Sequence, residues 1–324
     1  MIIVTGGAGF IGSNLISLLN EHNYHNIILV DDLSNGHQIR NIIDLKLDDY
    51  IDKDSFIYNL EKFKNVQAIF HLGACSATTE WNGKYLMENN YEYSKSLLNF
   101  SLKNKIQFIY ASSASVYGLG LKGFDEKNAC ELPINAYAYS KFLFDQYVRR
   151  KLKHSKNSQV IGLRYFNVYG PKENHKGDMA SPMHHFRNQC IRDNECRLFE
   201  GTDGFSDGEQ KRDFIYVNDC NDIALWFFKK NDVSINGIYN VGTGNARTFN
   251  DVANNIIEWV KKNSEQKPVK RFIAFPDHLK KSYQSFTQAN IDKLRLAGYD
   301  GKFTSLEDGI SQYMKWLNDS DTNS

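Results

Sequence analysis

The sequence predicts an α/β protein: a doubly wound parallel sheet with a smaller mixed α/β lobe. Three observations carry that expectation. Short apolar, β-branched runs alternate with longer helical patterns through the first half of the 324-residue chain. A glycine-rich turn joins the first of these runs to the first helical pattern. After Gly170-Pro171 the alternation loses its regularity. Apolar strands separated by helices are the pattern of βαβ units, whose sheet is buried on both faces.

The strand runs, in order, are IIVT (2–5), NIILVD (26–31), VQAIFHL (66–72), IQFIYASS (106–113) and QVIGLRYF (159–166). Helical patterns separate them at 10–21, over a polar stretch around 37–62, and at 83–104 and 136–152. Beyond residue 171, short strands are expected at RLFE (197–200), DFIYV (213–217) and GIYNVG (237–242). Helices are expected near 180–192, 219–230, 248–262 and 304–317. DGFSDGEQ (203–210), rich in Gly, Asp and Ser, is expected to be a mobile loop. The division that follows is a dinucleotide-binding domain over 1–170, then 171–324 as mainly a substrate-binding lobe with segments returning to the first domain.

Composition removes several function classes. The formal net charge is +1, with acids and bases interspersed, so no basic stripe for nucleic acid or membrane surfaces is expected. No apolar run reaches membrane-spanning length and no secretory leader pattern opens the chain. The five cysteines, 75, 130, 190, 196 and 220, include no CxxC pair. Reduced thiols in a cytoplasmic protein without a metal site are therefore expected.

Thr5-Gly6-Gly7-Ala8-Gly9-Phe10-Ile11-Gly12 follows a strand and opens a helix. Gly6, Gly9 and Gly12 permit a tight turn, close approach of backbone to a pyrophosphate, and close helix–strand packing. The helix N-terminus adds amide donors and a positive dipole end. Glycines alone also serve plain turns. Here the strand–turn–helix context, with Asp31 ending the next strand, points to a Rossmann-type dinucleotide site. Asp31 is placed to accept from the adenosine ribose. Adjacent Asp31 and Asp32 repel a 2′-phosphate and favour NAD, whereas Lys53 or Arg40 folded over the ribose would favour NADP.

Tyr137 and Lys141 in AYAYSK (136–141) stand four residues apart and share one helix face. An ammonium beside a phenol stabilises the phenolate and draws its pKa toward neutrality, and a cationic nicotinamide acts the same way. Ser113, ending the preceding strand, can donate to a substrate oxygen. A lone YxxxK is more often a solvated helix face. Its combination with the glycine turn and the strand-end serine makes it a catalytic set.

Ser113, Tyr137 and Lys141 with TGGAGFIG resemble the extended short-chain dehydrogenase/reductase superfamily of nucleotide-sugar epimerases, dehydratases and reductases. Dehydratases of that type carry an Asp-Glu pair after the strand hydroxyl. Ala114-Ser115 stand there instead, which disfavours elimination. GACSATTEWNGKYLMENNYEYSK (73–95), YSKFLFDQYVR (139–149), RYFNVYGPKENHKGDMAS (164–181), LFEG (198–201), KRDFIYV (211–217) and SYQSFTQA (282–289) narrow the likeness. Together these stretches are similar to the ADP-L-glycero-D-manno-heptose 6-epimerase family, almost end to end.

That resemblance implies an NADP-dependent isomerase that inverts C6'' of ADP-D-glycero-β-D-manno-heptose to the L-glycero epimer, through transient hydride transfer and a ketone, for lipopolysaccharide core biosynthesis. It implies Tyr137 as one acid/base and Lys176 as the other, with Ser113 and Lys141 in support. Residue type alone would make Lys176 an exposed loop lysine; the HKG match assigns it to chemistry. Cofactor contacts implied are Gly6, Gly9, Phe10, Ile11, Gly12, Asp31, Asp32, Gln38, Lys53, Leu72, Gly73, Ala74, Cys75, Ser76, Asn89, Lys141, Val168 and Lys176. Substrate contacts implied are Asn167, Asp178, His185, Phe199, Glu200, Gly201, Thr202, Arg212 and Tyr283. His185 can equally be a hydrogen-bonded helix histidine. A guanidinium such as Arg212 suits a diphosphate. A homo-oligomer, pentameric in the family, is implied as well.

The chain departs from the family at several points. Asp32 and Gln38 stand where Asn and Lys commonly help hold a 2′-phosphate. Asp178 replaces a small hydroxyl residue, and GFSDGEQ before Lys211 is longer than usual. A sister epimerase or reductase with another substrate is the alternative reading.

Overall fold

The computed structural model describes residues 1–154, 157–276 and 283–322. Ser282, which opens one of the family-like stretches, lies outside them. The strands in chain order are β1 (Ile2–Thr5), β2 (Ile27–Asp31), β3 (Asp49–Asp52), β4 (Ala68–His71), β5 (Gln107–Ser113), β6 (Val160–Tyr165), β7 (Asn167–Tyr169), β8 (Glu195–Phe199), β9 (Lys211–Arg212), β10 (Phe214–Tyr216), β11 (Gly237–Val241), β12 (Arg247–Thr248) and β13 (Val269–Ile273). Seven of them form one parallel sheet in the order β11-β6-β5-β4-β1-β2-β3. The others pair two by two: β7 with β10, β9 with β12, and β8 with β13.

The helices are α1 (Phe10–Glu21), α2 (Lys53–Tyr58), α3 (Gly83–Leu86), α4 (Tyr93–Asn104), α5 (Ala136–Leu152), α6 (Pro182–Asp193), α7 (Val217–Lys230), α8 (Phe249–Asn263), α9 (Asp292–Leu296) and α10 (Leu306–Thr322). Successive side chains of a strand point to opposite faces, and β1 shows the consequence. Ile2 and Val4 enter one core layer with Leu15 and Ile16 of α1 and Ile223 and Phe227 of α7. Ile3 enters the other, with Leu97 and Phe100 of α4 and Phe144 and Val148 of α5. A separate core under the smaller lobe joins α6, α8 and α10 through Met183, Phe186, Val252, Ile256, Tyr313 and Leu317.

The strand order reverses between β1 and β4, so the carboxyl ends of these two strands border a crevice where α/β sheets bind ligands. The segments that return to the sheet are α7 and β11. β11 pairs in register with β6, Val241 opposite Tyr165.

Three expectations are corrected. The polar stretch 37–62 is not one helical pattern: it holds a 3₁₀ turn (Gly36–Asn41), β3 and α2. β3 reads DYID and is a half-exposed edge strand, so it carries no apolar alternation to detect. The pattern at 83–104 is interrupted by a π turn at Met87–Glu92 between α3 and α4. DGFSDGEQ is pinned rather than mobile: Gly208 N–H donates to Phe199 O (3.1 Å), Asn250 N–H to Gly208 O (3.0 Å), and Ser285 Oγ bonds the Asp203 carboxylate. All five cysteines are free thiols. Among the described residues no group of His, Cys, Asp and Glu could hold a metal ion, and no helix is long and apolar enough to cross a membrane.

Candidate active site

A trough runs from the β1–β4 crevice across the ends of β5 and β6 into the smaller lobe. Its first cavity is lined by Thr5, Gly6, Asp31, Asp32, Lys53, Gly73, Ala74, Cys75 and Asn89, among others. Gly6 sits at φ +70°, and a Cβ there would lie 2.5 Å from Gly73 N, so the two strand ends meet only because both are glycine. A Cβ on Gly12 would lie 2.1 Å from Gly6 O, which fixes the closeness of α1 to the turn. Gly9 caps α1 without a side-chain hydrogen bond, and no acid stands in the first turn. The first amides of a twelve-residue helix are therefore open to an anion, and this cradle fits the pyrophosphate of a dinucleotide.

Asp31 already accepts from Ala8 N–H (2.8 Å) and Asp32 N–H (2.8 Å), and burial pushes its carboxyl up. Each oxygen keeps a further lone pair, available to a ribose hydroxyl. Lys53 Nζ bonds Asp54 (2.9 Å) and stands 4.0 Å from Asp32. Gln38 lies in the 3₁₀ turn, outside the lining of this cavity.

Sequence reasoning overlooked the buried chain behind this wall. Thr5 Oγ1 pairs with His71 Nδ1 (2.7 Å), His71 Nε2 with Ser94 Oγ (2.7 Å), and Ser94 Oγ donates to Asn90 O (2.7 Å). Burial pushes His71 down to about 3, so it is a neutral connector. Asn90, turned inward by the π turn, accepts from Cys75 N–H (2.9 Å) and donates to Cys75 O and Ser140 Oγ (3.0 Å each). A π turn inside a helix often marks a site, but nothing in the local residues announces one.

The second cavity shares Ala74 with the first. It is lined by Phe10, Ile11, Leu72, Ser76, Ser113, Tyr137, Lys141, Asn167, Val168 and Lys176, together with Thr78, Met179, Ala180, Ser181 and Pro182. Tyr137 and Lys141 enter from α5, whose N-terminus is capped by Asn135 accepting from Ala138 N–H (2.7 Å). Lys141 Nζ donates to Ala111 O (2.9 Å), and burial pushes it down to about 8 against the opposing charge of Asp145. The Tyr137 phenol is not drawn toward neutrality in the ligand-free chain. Burial pushes it up, and the hydrogen bond with Ser113 only partly offsets this. Desolvation exceeds the local stabilisation because Tyr137 is only 8% exposed.

Lys176 enters from the 3₁₀ segment Asn174–Met179, which turns at Gly177 (φ 53°). Its ammonium lies over the Phe10 ring, 5.4 Å from the centroid. Burial pulls its pKa down, opposed by Glu173. The loop is strapped to the glycine turn: Asn41 Nδ2 donates to Ala8 O (2.9 Å) and pairs with His175 Nδ1 (3.1 Å), while Lys172 Nζ donates to Asn41 O (2.8 Å).

The third cavity shares Asn167 and Pro182 with the second. It contains His185, Phe199, Arg212 and Tyr283, and adds Gln210, Phe249 and Ile273, which no motif indicated. Arg212 is buried, its guanidinium 4.7 Å from the Tyr283 ring centroid and 5.8 Å from that of Phe249. Its pKa is pulled down by burial, and among the described residues no ion pair neutralises it. A buried cation between two aromatic rings suits an anionic, flat-ringed ligand. Glu200, Gly201 and Thr202 are not in the lining. Their backbone instead closes the pinned loop, through Gly201 N–H to Asp207 (2.8 Å) and Phe205 N–H to Thr202 O (3.0 Å). Asp178 is exposed and outside all three cavities, since the turn at Gly177 points the chain away from the cleft before Met179 returns.

Comparison with known proteins agrees with this architecture. A family model described as the NAD dependent epimerase/dehydratase family matches residues 2–242. ADP-L-glycero-D-manno-heptose-6-epimerase from Alkalilimnicola ehrlichii is 51% identical over 97% of this chain and 96% of its own length. The crystal structure of the Helicobacter pylori ADP-L-glycero-D-manno-heptose-6-epimerase superposes with a TM-score of 0.81 at 32% identity, covering 98% of this chain and 96% of that one. UDP-glucuronic acid 4-epimerase from Bacillus cereus, in complex with UDP-glucuronic acid and NAD, gives a TM-score of 0.81 at 25% identity, covering 98% and 99%.

Proposed function

The chain belongs to the NAD dependent epimerase/dehydratase family, among the ADP-L-glycero-D-manno-heptose-6-epimerases, and from that premise we propose how its trough serves the reaction. The protein is an isomerase. Its substrate is ADP-D-glycero-β-D-manno-heptose and its product the L-glycero epimer at C6'', a precursor for lipopolysaccharide core in the cytoplasm of a Gram-negative cell. The observation that carries this reading is the presence of Tyr137 and Lys176 on separate walls of one cavity. One fixed phenol reaches a hydroxyl in one orientation only, so inversion needs a second acid/base.

Held by the Gly6–Gly12 turn, Asp31 and the residues that follow β4, a nicotinamide dinucleotide would supply reversible hydride acceptance. Tyr137, with Ser113 donating to the same oxygen, holds or releases the hydroxyl proton of one epimer. Lys176 does so for the other, its proton affinity lowered by burial. Lys141, bonded to Ala111 O, supports the Tyr137 face. Arg212 and Tyr283 receive the ADP portion in the third cavity, with Asn167 at the junction.

The resemblance implies NADP. A second reading, NAD, is favoured by two carboxylates, Asp31 and Asp32, at the adenosine end, with Lys53 held by Asp54 (2.9 Å). The homo-oligomer implied by the resemblance is tested by light scattering.

The deciding assay gives the purified protein ADP-D-glycero-D-manno-heptose without added cofactor and follows the C6'' configuration by NMR. Conversion without net redox change is expected. Absence of conversion with NADP or NAD saturating would sink the substrate assignment. The mass of the dinucleotide released on denaturation separates the two cofactors.

A further inference from the structure

Behind Lys176 lies a carboxylate that the reaction scheme above does not use. Glu173 is fully buried. Its Oε2 accepts from Ser181 N–H (2.7 Å) and its Oε1 from Ser181 Oγ (2.6 Å), and the Tyr313 phenol of α10 stands nearby. Burial pushes the Glu173 carboxyl up from its ordinary value, and the Ser181 donors and the Lys176 ammonium offset part of that push in favour of the ionised form. Ser181 is the N-cap of α6 and lines the cavity containing Lys176. Lys176 N–H donates to Glu173 O (3.0 Å), closing the turn that carries the lysine. Among the described residues Glu173 is the only charged group that acts appreciably on the Lys176 ammonium.

We propose that Glu173 is the positioning residue of Lys176: its buried carboxylate clamps the 173–181 loop to the start of α6 and is the counter-charge that keeps the lysine able to carry a proton inside the cleft. The proposal rests on the reading of Lys176 as the second acid/base. Without a counter-charge, a lysine taken from water is driven toward the neutral amine and can no longer return a proton. With a directly bonded carboxylate it would be held permanently as the ammonium. Glu173 avoids that extreme because its oxygens are occupied by Ser181, and it acts on Lys176 through the field. The other ionisable groups around the pair are His175 in the loop, exposed Asp178, Tyr137 and Lys141 of α5 across the cavity, and His184 of α6 beside Tyr313. Apart from Glu173 and Asp178, all of these are neutral or cationic groups, so none replaces the buried negative charge.

The test is an NMR titration of the ligand-free protein with lysine labelled at Cε, the Lys176 resonance being assigned by its loss in Lys176→Arg. In Glu173→Gln, a near-isosteric change whose amide can accept from Ser181 N–H and donate to Ser181 Oγ, the Lys176 titration is expected to move to lower pH by about one unit. The matching limb of the pH–rate profile should move with it, and Glu173→Asp should restore part of the shift. Should Glu173→Gln fail to fold, Glu173→Asp alone carries the test, because it draws the negative charge back by one methylene. It should give a smaller shift in the same direction. A Lys176 titration unchanged in a folded variant overturns the proposal. If the titration moves but Lys176→Met keeps full epimerase activity, the clamp stands and the assignment of Lys176 as a base falls instead.

Discussion

The two walls of the catalytic cavity are built in different ways. The Tyr137 wall is a seventeen-residue helix anchored in the core. One turn beyond Lys141, Asp145 accepts from Tyr110 (2.9 Å), Ser112 (2.9 Å) and Arg164 (2.7 Å). Arg164 is fully buried and also donates to Tyr117 (2.9 Å) and pairs with Glu131. The Lys176 wall is a 3₁₀ loop with a positive-φ glycine, tied down by side chains of distant segments such as Asn14 (to Pro171 O, 2.9 Å) and Asn41. The helix wall holds its phenol by covalent periodicity and a charged core. The loop wall holds its lysine by a few individual bonds. Under the proposed function Tyr137 is the fixed group and Lys176 serves the other orientation, and the asymmetry suits those two roles.

The largest expected effect falls on the helix wall. Tyr137→Phe should lower kcat by about 10²–10⁴-fold with folding and dinucleotide binding intact. A loss below tenfold would mean that the phenol is not the fixed acid/base and would dissolve the contrast.

Next comes stability. Asp145→Asn removes one of the two carboxylates that pair with the Arg164 guanidinium in a dry core. It should cost about 3–5 kcal/mol of unfolding free energy in urea titrations. A cost under about 1 kcal/mol would show that Glu131 alone compensates the buried charge.

The same wall should carry a pH signature. Lys141 titrates near 8 when folded and near 10.5 when unfolded, so the folded state binds fewer protons between those values. Stability therefore rises with pH through that window: the penalty of burying the ammonium is present in full below pH 8 and fades toward 10.5. Chemical denaturation at pH 7.5 and 10 should show wild type gaining up to about 3 kcal/mol relative to Lys141→Met. Parallel curves for the two proteins would contradict this.

The smallest effect is expected on the loop wall. Lys172→Met removes the bond to Asn41 O (2.8 Å) and the pair with exposed Asp44 (3.1 Å). About 1 kcal/mol is expected, since one partner is solvated. A value matching that of Asp145→Asn would show the two walls to be equally rigid.

The legibility of the site follows the same division. Tyr137, Lys141 and Ser113 could be read because their relation is local: helix spacing and the strand end that precedes it. Lys176 needed the family likeness, since a loop lysine carries no pattern of its own. Phe249, Gln210 and Ile273 enter the third cavity from α8, the segment before β9, and β13, and nothing in their surroundings marks them. Asp178 and Gln38 stand at motif positions where the chain departs from the family, and both fall outside the cleft.

By itself the sequence determined the alternating β/α order, the glycine cradle of residues 6–12 and the Tyr137–Lys141 face. Each depends on steric and hydrogen-bonding rules acting within about one turn or one strand. Only the tertiary structure decided that β3 joins the sheet edge, that β11 returns beside β6, that 203–210 is pinned, and that Tyr137 is pushed up rather than down. Those outcomes depend on contacts and desolvation between segments far apart in the chain: Asn41 with His175, Glu173 with Tyr313, Arg212 with Tyr283. Burial is a property of the whole fold, so the residues whose chemistry it sets cannot be read from their neighbours in sequence.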